Sequence, residues 1–425
     1  MTTQDAMRTT ASLTKYGFLL AILSLFACTG GKEHKPCADK IACVDIEPGD
    51  PIKLGVIQSL SGKVAPLGQE QMRGLELALA HRQGKLLGHE VALQTEDTGC
   101  RPEGGANAAL KMVADPEVVA IFGTTCSGDA ATASEIMSKS GLSMISGNNS
   151  AAFLTSIGGR KAPAWQPGYF RTAPNEEFSG PAAATYAYTK LHIHKAATIN
   201  DGDLYTCGLT DGFAKKFKEL GGEIVLAATV NKNDTNMGPV LTAVEHSKAE
   251  LIFFPLFQPE GNHLLMQARR TPELKHVVLM SDGSLIEQSF IDSVKQAAVG
   301  MYFVGPTPPP KSAAMDKLLE EYKQRYKTEP GTFYYVSAYD AAEILFKAIE
   351  KAAKQDKSGA VHIGRQDLRD ALYATRDHEG LGGKMSCNEF GDCAPPRFNV
   401  LRLKDPAAGV EGLKANVLFT YEPAP

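Results

Sequence analysis

Long hydrophobic runs are missing from this chain of 425 residues. Beyond residue 27 no stretch reaches 18 consecutive apolar residues, so no transmembrane helix is predicted. An excess of either charge is missing too: 44 Lys and Arg stand against 48 Asp and Glu, for a formal charge of −4. With no basic stripe in that balance, nucleic acid is not an expected partner. Neither a G-x-S-x-G elbow nor a G-x-x-x-x-G-K-[ST] loop occurs, which removes two common signatures of hydrolases and nucleotide binders. Among eight cysteines there is no C-x-x-C pair, which argues for disulfides in an oxidising compartment over a zinc site. His192 and His194 share one face of a strand-like stretch but have no acidic or Cys ligand nearby in sequence, so no metal site is expected.

What is present begins with Cys28. It closes a short apolar run, Tyr16 to Ala27, that follows Arg8 and Lys15. A positive start, a short apolar core and a small residue before the cut describe a secretory signal over residues 1–27. As a helix that run rises only about 18 Å, too little for the ~30 Å hydrocarbon core of a bilayer. Leu25-Phe26-Ala27-Cys28 resembles the bacterial lipobox, in which the Cys is lipidated and becomes the mature N-terminus. The alternative is an ordinary secreted protein with an incidental cysteine here; either way the chain leaves the cytoplasm. Residues 28–50 are polar and punctuated by Gly and Pro, as a flexible tether requires.

The remaining cysteines fall into neighbours. Cys37 and Cys43 share the tether, and Cys387 and Cys393 flank the turn from Asn388 to Asp392. Cys100 and Cys126 follow two successive predicted strands, so their loops fall at one edge of one sheet. A bridge there is worth about 3 kcal/mol in the chain-entropy model. Cys207 is left over, and a buried small hydrophobe is its expected role, with a free reactive thiol as the alternative.

From Ile52 a strand–helix alternation runs for most of the chain. Strands are predicted at Ile52–Gln58, Val91–Glu96, Val118–Phe122 and Leu142–Ser146, with helices at Gln69–Gln83, Gly104–Ala114 and Asp129–Ser140 between them. A second series follows Arg171-Thr172-Ala173-Pro174, with strands at Ala196–Ile199, Glu223–Val230, Leu251–Leu256, Val277–Met280 and Met301–Val304. Its helices are Thr210–Leu220, Pro239–Lys248, Asn262–Ala268 and Ile286–Ala297. Thr307-Pro308-Pro309-Pro310 then breaks the pattern, and helices Ala313–Tyr326, Ala338–Ala353 and Gln366–Ala374 lead to hairpin-like segments at Met385–Val400 and Val417–Tyr421. Branched apolar strands alternating with helices argue an α/β fold of two doubly wound, Rossmann-like lobes joined by several strands. The boundaries are residues 51–173 plus 306–379 for one lobe and 174–305 plus 380–425 for the other.

Ligands of open parallel sheets bind beyond the carboxyl ends of the strands. Ser127 stands there at a predicted helix start, where unpaired N–H groups and the helix dipole favour a carboxylate; a plain N-cap is the commoner role. Ser150 adds a hydroxyl from the next loop. Asp282 supplies a negative charge from the other half, against the ordinary alternative of an Asp-Gly turn. Together they suit a zwitterion.

These residues sit in stretches that resemble the leucine/isoleucine/valine-binding proteins of ABC importers. The likeness runs through IKLGVIQSLSGKVAPLG at Ile52–Gly68, Cys100 with Cys126-Ser127, MISGNNS at Met144–Ser150 and YFRTAPNEEFSGP at Tyr169–Pro181. It continues through Ile199-Asn200-Asp201 to Tyr205, then Pro259-Glu260, Gln267-Ala268-Arg269 and Met280 to Gly283, over roughly residues 52–400. The resemblance implies a type I periplasmic binding protein: two lobes, three crossing strands and a ligand cleft between them. It places carboxylate binding on Ser127 and Ser150, and ammonium binding on the Asn148 carbonyl and Asp282, an Asp where the family usually has Glu. Tyr205 becomes the cleft tyrosine, followed by Thr206-Cys207 in place of the family's Gly. Two aromatic pocket positions become Leu67 and Phe257. The expected function is capture of an amino acid, branched-chain or otherwise apolar, outside the cytoplasmic membrane, in the periplasm or at the cell surface. The expected partners are ABC permease subunits, with no cofactor, no catalysis, a lipid as the only membrane contact and a monomeric state. Two other readings stay open: a sensory module for a receptor, and a binder of an amide, urea or aromatic acid.

Overall fold

Two open sheets carry the architecture of residues 39–423, which the computed structural model describes. The predicted signal segment, Cys28 and Cys37 lie outside those residues. The first sheet comprises β1 (Ile52–Gln58), β2 (Lys85–Leu86), β3 (His89–Asp97), β4 (Val118–Gly123), β5 (Met144–Ser146) and β6 (Tyr169–Arg171), in the order β2-β3-β1-β4-β5-β6. The second comprises β7 (Lys195–Asn200), β8 (Glu223–Thr229), β9 (Leu251–Phe253), β10 (Val278–Ser281), β11 (Tyr302–Pro306), β12 (Phe398–Arg402) and β13 (Val417–Tyr421), in the order β8-β7-β9-β10-β11-β12-β13. Apart from β2, β12 and β13, which pair antiparallel, each sheet is parallel and runs second, first, third, fourth, fifth. That is a doubly wound order, with its switch point between the first and third strands of each lobe.

The helices are α1 (Ala65–His81), α2 (Pro102–Ala114), α3 (Ser127–Lys139), α4 (Ser179–Thr189), α5 (Leu204–Glu219), α6 (Gly238–Ser247), α7 (Glu260–Arg270), α8 (Gln288–Val294), α9 (Ala313–Tyr326), α10 (Tyr334–Ala352), α11 (Arg365–Tyr373) and α12 (Gly409–Ala415). The inner strands are apolar along their length because helices cover both faces. On one face of the first sheet Leu54, Val56 and Phe122 pack with Leu75 of α1 and Ala341 and Leu345 of α10. On the other, Ile57 and Ile121 meet Met112 of α2 and Ala133 and Met137 of α3. Gly55 permits that second contact: a Cβ there would stand 2.7 Å from the Met112 Sδ, so its missing side chain lets α2 down onto β1. In the second lobe α4 and α5 cover one face and α6, α7, α8 and α12 the other. Phe213 stacks on Phe217 and Phe253 at centroid distances of 5.3 and 4.7 Å.

The chain crosses between the sheets three times: after β6, after β11, and between α11 and β12. A buried ion pair anchors the first and third crossings. Arg171 Nε lies 2.6 Å from Asp392 Oδ1, and Arg171 Nη1 donates to the Ala151 carbonyl at 2.7 Å. Burial alone pushes the Asp392 carboxyl up, but the Arg171 charge and hydrogen bond outweigh it and hold the group below its ordinary range. The lobes also touch each other directly. One apolar cluster continues from α3 through Leu154 and Tyr205 into α5, and a Cβ on Gly128 would lie 2.7 Å from Oδ2 of Asp203, the residue capping α5.

Several local expectations need correction. The stretch expected to be tether ends in a strand, Cys43–Ile46, paired antiparallel with Val361–Gly364. Val44 and Ile46 point alternately inward and are buried, a period-2 pattern too short to stand out among polar neighbours. The segment Met385–Val400 is not a hairpin. Residues 386–397 form an irregular loop closed by the Cys387–Cys393 disulfide, both cysteines packing with the first-lobe core. Pro395 and Pro396 lack the N–H a ladder needs. Strand β6, inside the run from Tyr169, and helix α4, which begins at the end of that run, had no periodic signal of their own. The Cys100–Cys126 disulfide is present, Cys43 is disulfide-bonded, and Cys207 is a free thiol, partly buried on α5, with burial pushing its pKa up.

Candidate ligand-binding cleft

The carboxyl ends of β1, β4 and β5 face those of β7, β9 and β10, and the predicted residues gather where they meet. Leu67, Ser127, Asn148, Ser150, Tyr205 and Phe257 line one small cavity of about 20 Å³, together with Thr125, Cys126, Ser284 and Tyr334. Asp282 is not part of that lining. It stands behind it, reached through Tyr205 and Ser284.

On the first lobe the loop chemistry is amide and hydroxyl. Ser127 is the first residue of α3 rather than its cap; Cys126 takes the cap position, without a side-chain bond. Ser127 Oγ instead accepts from the Ala151 N–H at 3.2 Å, tying the helix start to the loop after β5. The first-turn N–H groups of α3 have no helical carbonyl to reach. Asn148 is fixed by its side chain, whose Nδ2 donates to the Thr125 carbonyl at 2.9 Å, and by Ser146 Oγ, which accepts from its backbone N–H at 3.0 Å. Thr125 Oγ1 in turn accepts from the Ser59 N–H at 2.9 Å and donates to Gln58 Oε1 at 2.7 Å. The loops after β1, β4 and β5 are thus one hydrogen-bonded platform.

The second lobe contributes aromatic rings and carboxylates. Helix α5 starts at Leu204, earlier than its periodicity indicates, because Asp203 caps it by accepting from the Tyr205 N–H at 3.0 Å. That puts Tyr205 in the first turn, its ring tilted against Phe257 with centroids 5.3 Å apart. The Tyr205 hydroxyl donates to the Asp282 carboxylate and lies 3.4 Å from Glu176 Oε1. Asp282 is fully buried and also accepts from Ser284 Oγ at 2.9 Å, the Ser284 N–H at 3.2 Å and Ser281 Oγ at 3.3 Å. Its partners are hydroxyls and one amide, none of them a cation. Burial therefore pushes its pKa up to about 6. Burial and the Asp282 charge raise Glu176 well above the ordinary carboxylate range, and its Oε2 has no partner.

Sequence reasoning missed Glu176, Tyr334 and Ser284. Glu176 lies inside the quoted run from Tyr169, where Glu176-Glu177 offered no basis for choosing the buried one. Tyr334 opens a helix distant in sequence, and nothing local marks it as a wall of this cavity. Among the described residues no group of three His, Cys, Asp or Glu side chains is placed to hold a metal, and no helix is long and apolar enough to cross a membrane.

Two doubly wound lobes, linked by three crossings and closing on a polar, partly aromatic cleft, define a bilobal binding protein. The chain belongs to the periplasmic binding protein family, which residues 51–391 match; the family is one of binders, not enzymes. It is 26% identical over 83% of its length to a Leu/Ile/Val-binding protein of Rhizobium johnstonii, 91% of which is covered. It is 24% identical over 83% of its length to a leucine-, isoleucine-, valine-, threonine- and alanine-binding protein of Pseudomonas aeruginosa, 89% covered. Among solved structures, a leucine-binding protein of Thermotoga maritima superposes with a TM-score of 0.74 at 22% identity, covering 88% of this chain and 99% of that one. A solute-binding protein of R. palustris in complex with benzoate superposes at 0.73 and 21% identity, covering 88% and 97%.

Proposed function

We propose that this protein captures an amino acid outside the cytoplasmic membrane and delivers it to the permease of an ABC importer, tethered by a lipid on Cys28. In this reading the ligand carboxylate meets Ser127, Ser150 and the first-turn N–H groups of α3. The ammonium meets Asp282 and the Asn148 carbonyl, and Leu67, Tyr205 and Phe257 flank the side chain. The observation that carries the reading is Asp282, a fully buried carboxylate without a cationic partner. Burying a charge unpaired is costly, and a ligand ammonium is the partner that offsets the cost. Because the two ligand charges fall to different lobes, the ligand binds the closed arrangement better than the open one, and closure is a population shift.

The test is isothermal titration of the chain, unfolded and refolded to strip bound ligand, against the common amino acids. Saturable binding of leucine, isoleucine, valine or phenylalanine is expected; silence from folded protein refutes the reading. A second reading, an aromatic carboxylate, is favoured by the benzoate complex of similar fold and by the rings of Tyr205, Phe257 and Tyr334. Benzoate and 4-hydroxybenzoate in the same titration separate the two, since neither carries a cation to offset the Asp282 charge.

A further inference from the structure

The cleft cavity, at about 20 Å³, holds little more than one water. No amino acid fits without a wall moving. Beside it lies a much larger cavity of about 520 Å³, within the range of small-molecule sites. It sits among the crossing segments and is walled by Ile286, Pro306, Pro308, Phe333, Val336 and Met385, with the hydroxyls of Thr332 and Ser337 on its margin. None of the ligand positions above lines it, though Thr172-Ala173-Pro174 and Gly283 of the quoted stretches do.

Tyr334 lines both cavities. It opens α10 and is half-buried, and its hydroxyl makes no hydrogen bond to any described residue. On the far side of that hydroxyl is Gly283, next to Asp282. A Cβ on Gly283 would stand 3.5 Å from the Tyr334 oxygen and 3.4 Å from Pro306 Cδ, so the absence of a side chain keeps the passage between Tyr334 and the crossing open. The residues on either side of the divider are consecutive: Gly283 faces the large cavity and Ser284, which bonds Asp282, faces the small one. The proposed ammonium position is therefore at the border of the two spaces.

We propose that the larger cavity receives the outer part of the captured amino acid's side chain, beyond the part flanked by Leu67, Tyr205 and Phe257, that Tyr334 is the movable divider admitting it, and that the ligand is an amino acid with a bulky apolar or aromatic side chain. The proposal rests on the amino-acid reading of the cleft. With the α-carboxylate and ammonium held at Ser127 and Asp282, a small side chain leaves the large cavity unused. A long or aromatic one displaces the Tyr334 ring and fills an apolar space bounded by rigid prolines.

The test is titration of the wild-type chain with valine, leucine, phenylalanine and tryptophan, then of Pro308→Trp, which fills the cavity from a half-exposed crossing segment. The wild type is expected to gain at least tenfold in affinity from valine to phenylalanine. Pro308→Trp is expected to weaken phenylalanine at least tenfold and valine less than twofold, its thermal unfolding confirming an intact fold. Tyr334→Ala, which merges the two cavities, is expected to narrow the gap between phenylalanine and tryptophan. Binding of valine with rejection of phenylalanine by the wild type, which needs no variant, overturns this inference and leaves the amino-acid reading standing. Equal losses for valine and phenylalanine in Pro308→Trp, or no loss, overturn it too. If no amino acid binds, both readings fall together.

Discussion

Replacing Asp282 by Asn separates what this residue does for the ligand from what it does to the fold. Without ligand the carboxylate is buried among hydroxyls, and its pKa stands at about 6 against an ordinary 3.8. At about 1.36 kcal/mol per pKa unit, that difference costs the folded state up to roughly 3 kcal/mol wherever the group must be ionised. The sign follows from proton counts. Between pH ~4 and ~6 the folded form binds more protons than the unfolded one, so stability falls as pH rises through that window. Below pH ~4 the cost is absent; above pH ~6 it is felt in full. Asp282→Asn, neutral at every pH, is therefore expected to melt higher than the wild type at pH 7.5 and close to it at pH 4. With an amino acid present the order reverses. Removing one partner of a buried ion pair costs about 3–5 kcal/mol, so affinity is expected to drop roughly 100- to 4,000-fold. Thermal unfolding at the two pH values and isothermal titration at pH 7.5 measure both effects on one variant. Affinity within threefold of wild type refutes the ammonium pairing, and an unchanged or lower melting temperature at pH 7.5 refutes the uncompensated burial.

Arg171→Met strands the buried Asp392 carboxylate at the crossings and is expected to cost about 3–5 kcal/mol in denaturant unfolding at neutral pH; a loss under 1 kcal/mol contradicts the pairing. Because Asp392 is held below its ordinary range, the wild type's advantage is expected to shrink as pH falls through that carboxyl's pKa. Gly128→Ala puts a Cβ 2.7 Å from Asp203 Oδ2, the end of a side chain that also pairs with Lys232 Nζ at 3.0 Å. The lobes then cannot shut as closely, and a few-fold loss of affinity is expected, with a larger radius of gyration for the liganded protein by small-angle scattering and an unaltered melting temperature. Identical scattering and affinity remove Gly128 from the closure contact.

The parts of the fold that could be read from the sequence are those where one local pattern dominates. Ile52–Gln58, Ala313–Tyr326 and Val417–Tyr421 have the predicted bounds because apolar period and breakers agree there. Strand β6 is only three residues long, too short for any period, and its place at the sheet edge is fixed by pairing with β5 and by the bond from its own Arg171 to Asp392. The start of α5 was hidden because Asp203 reads equally as a loop residue and as a cap. In the cleft, Ser127, Asn148, Ser150, Tyr205, Phe257 and Leu67 could be brought together because each follows a strand or opens a helix at the same edge. Asp282 was legible as a charge but not as a residue behind the lining, since its depth depends on the Tyr205 ring in front of it. Glu176 and Tyr334 depend on the crossings, where contacts are set by how the lobes meet rather than by neighbours in the chain.

The repeated strand order has an electrical consequence. In a parallel unit each helix begins where the preceding strand ends, so α3 and α5 both start at the cleft, and both bring the positive pole of a peptide dipole to it. Left alone, a duplicated fold would offer a guest two like poles. Here the two lobes differ in sign. The second lobe sets Asp201, Asp203 and Asp282 around its pole, all buried and, among the described residues, only Asp203 paired with a lysine, Lys232, while the facing first-lobe loops carry Ser, Thr and Asn. Asp129, behind the first-lobe pole, is pushed by burial to about 7, which sheds much of its charge at neutral pH. The slot between the lobes is thereby polarised end to end, and a dipolar guest entering it has one favoured heading and one opposed by both walls.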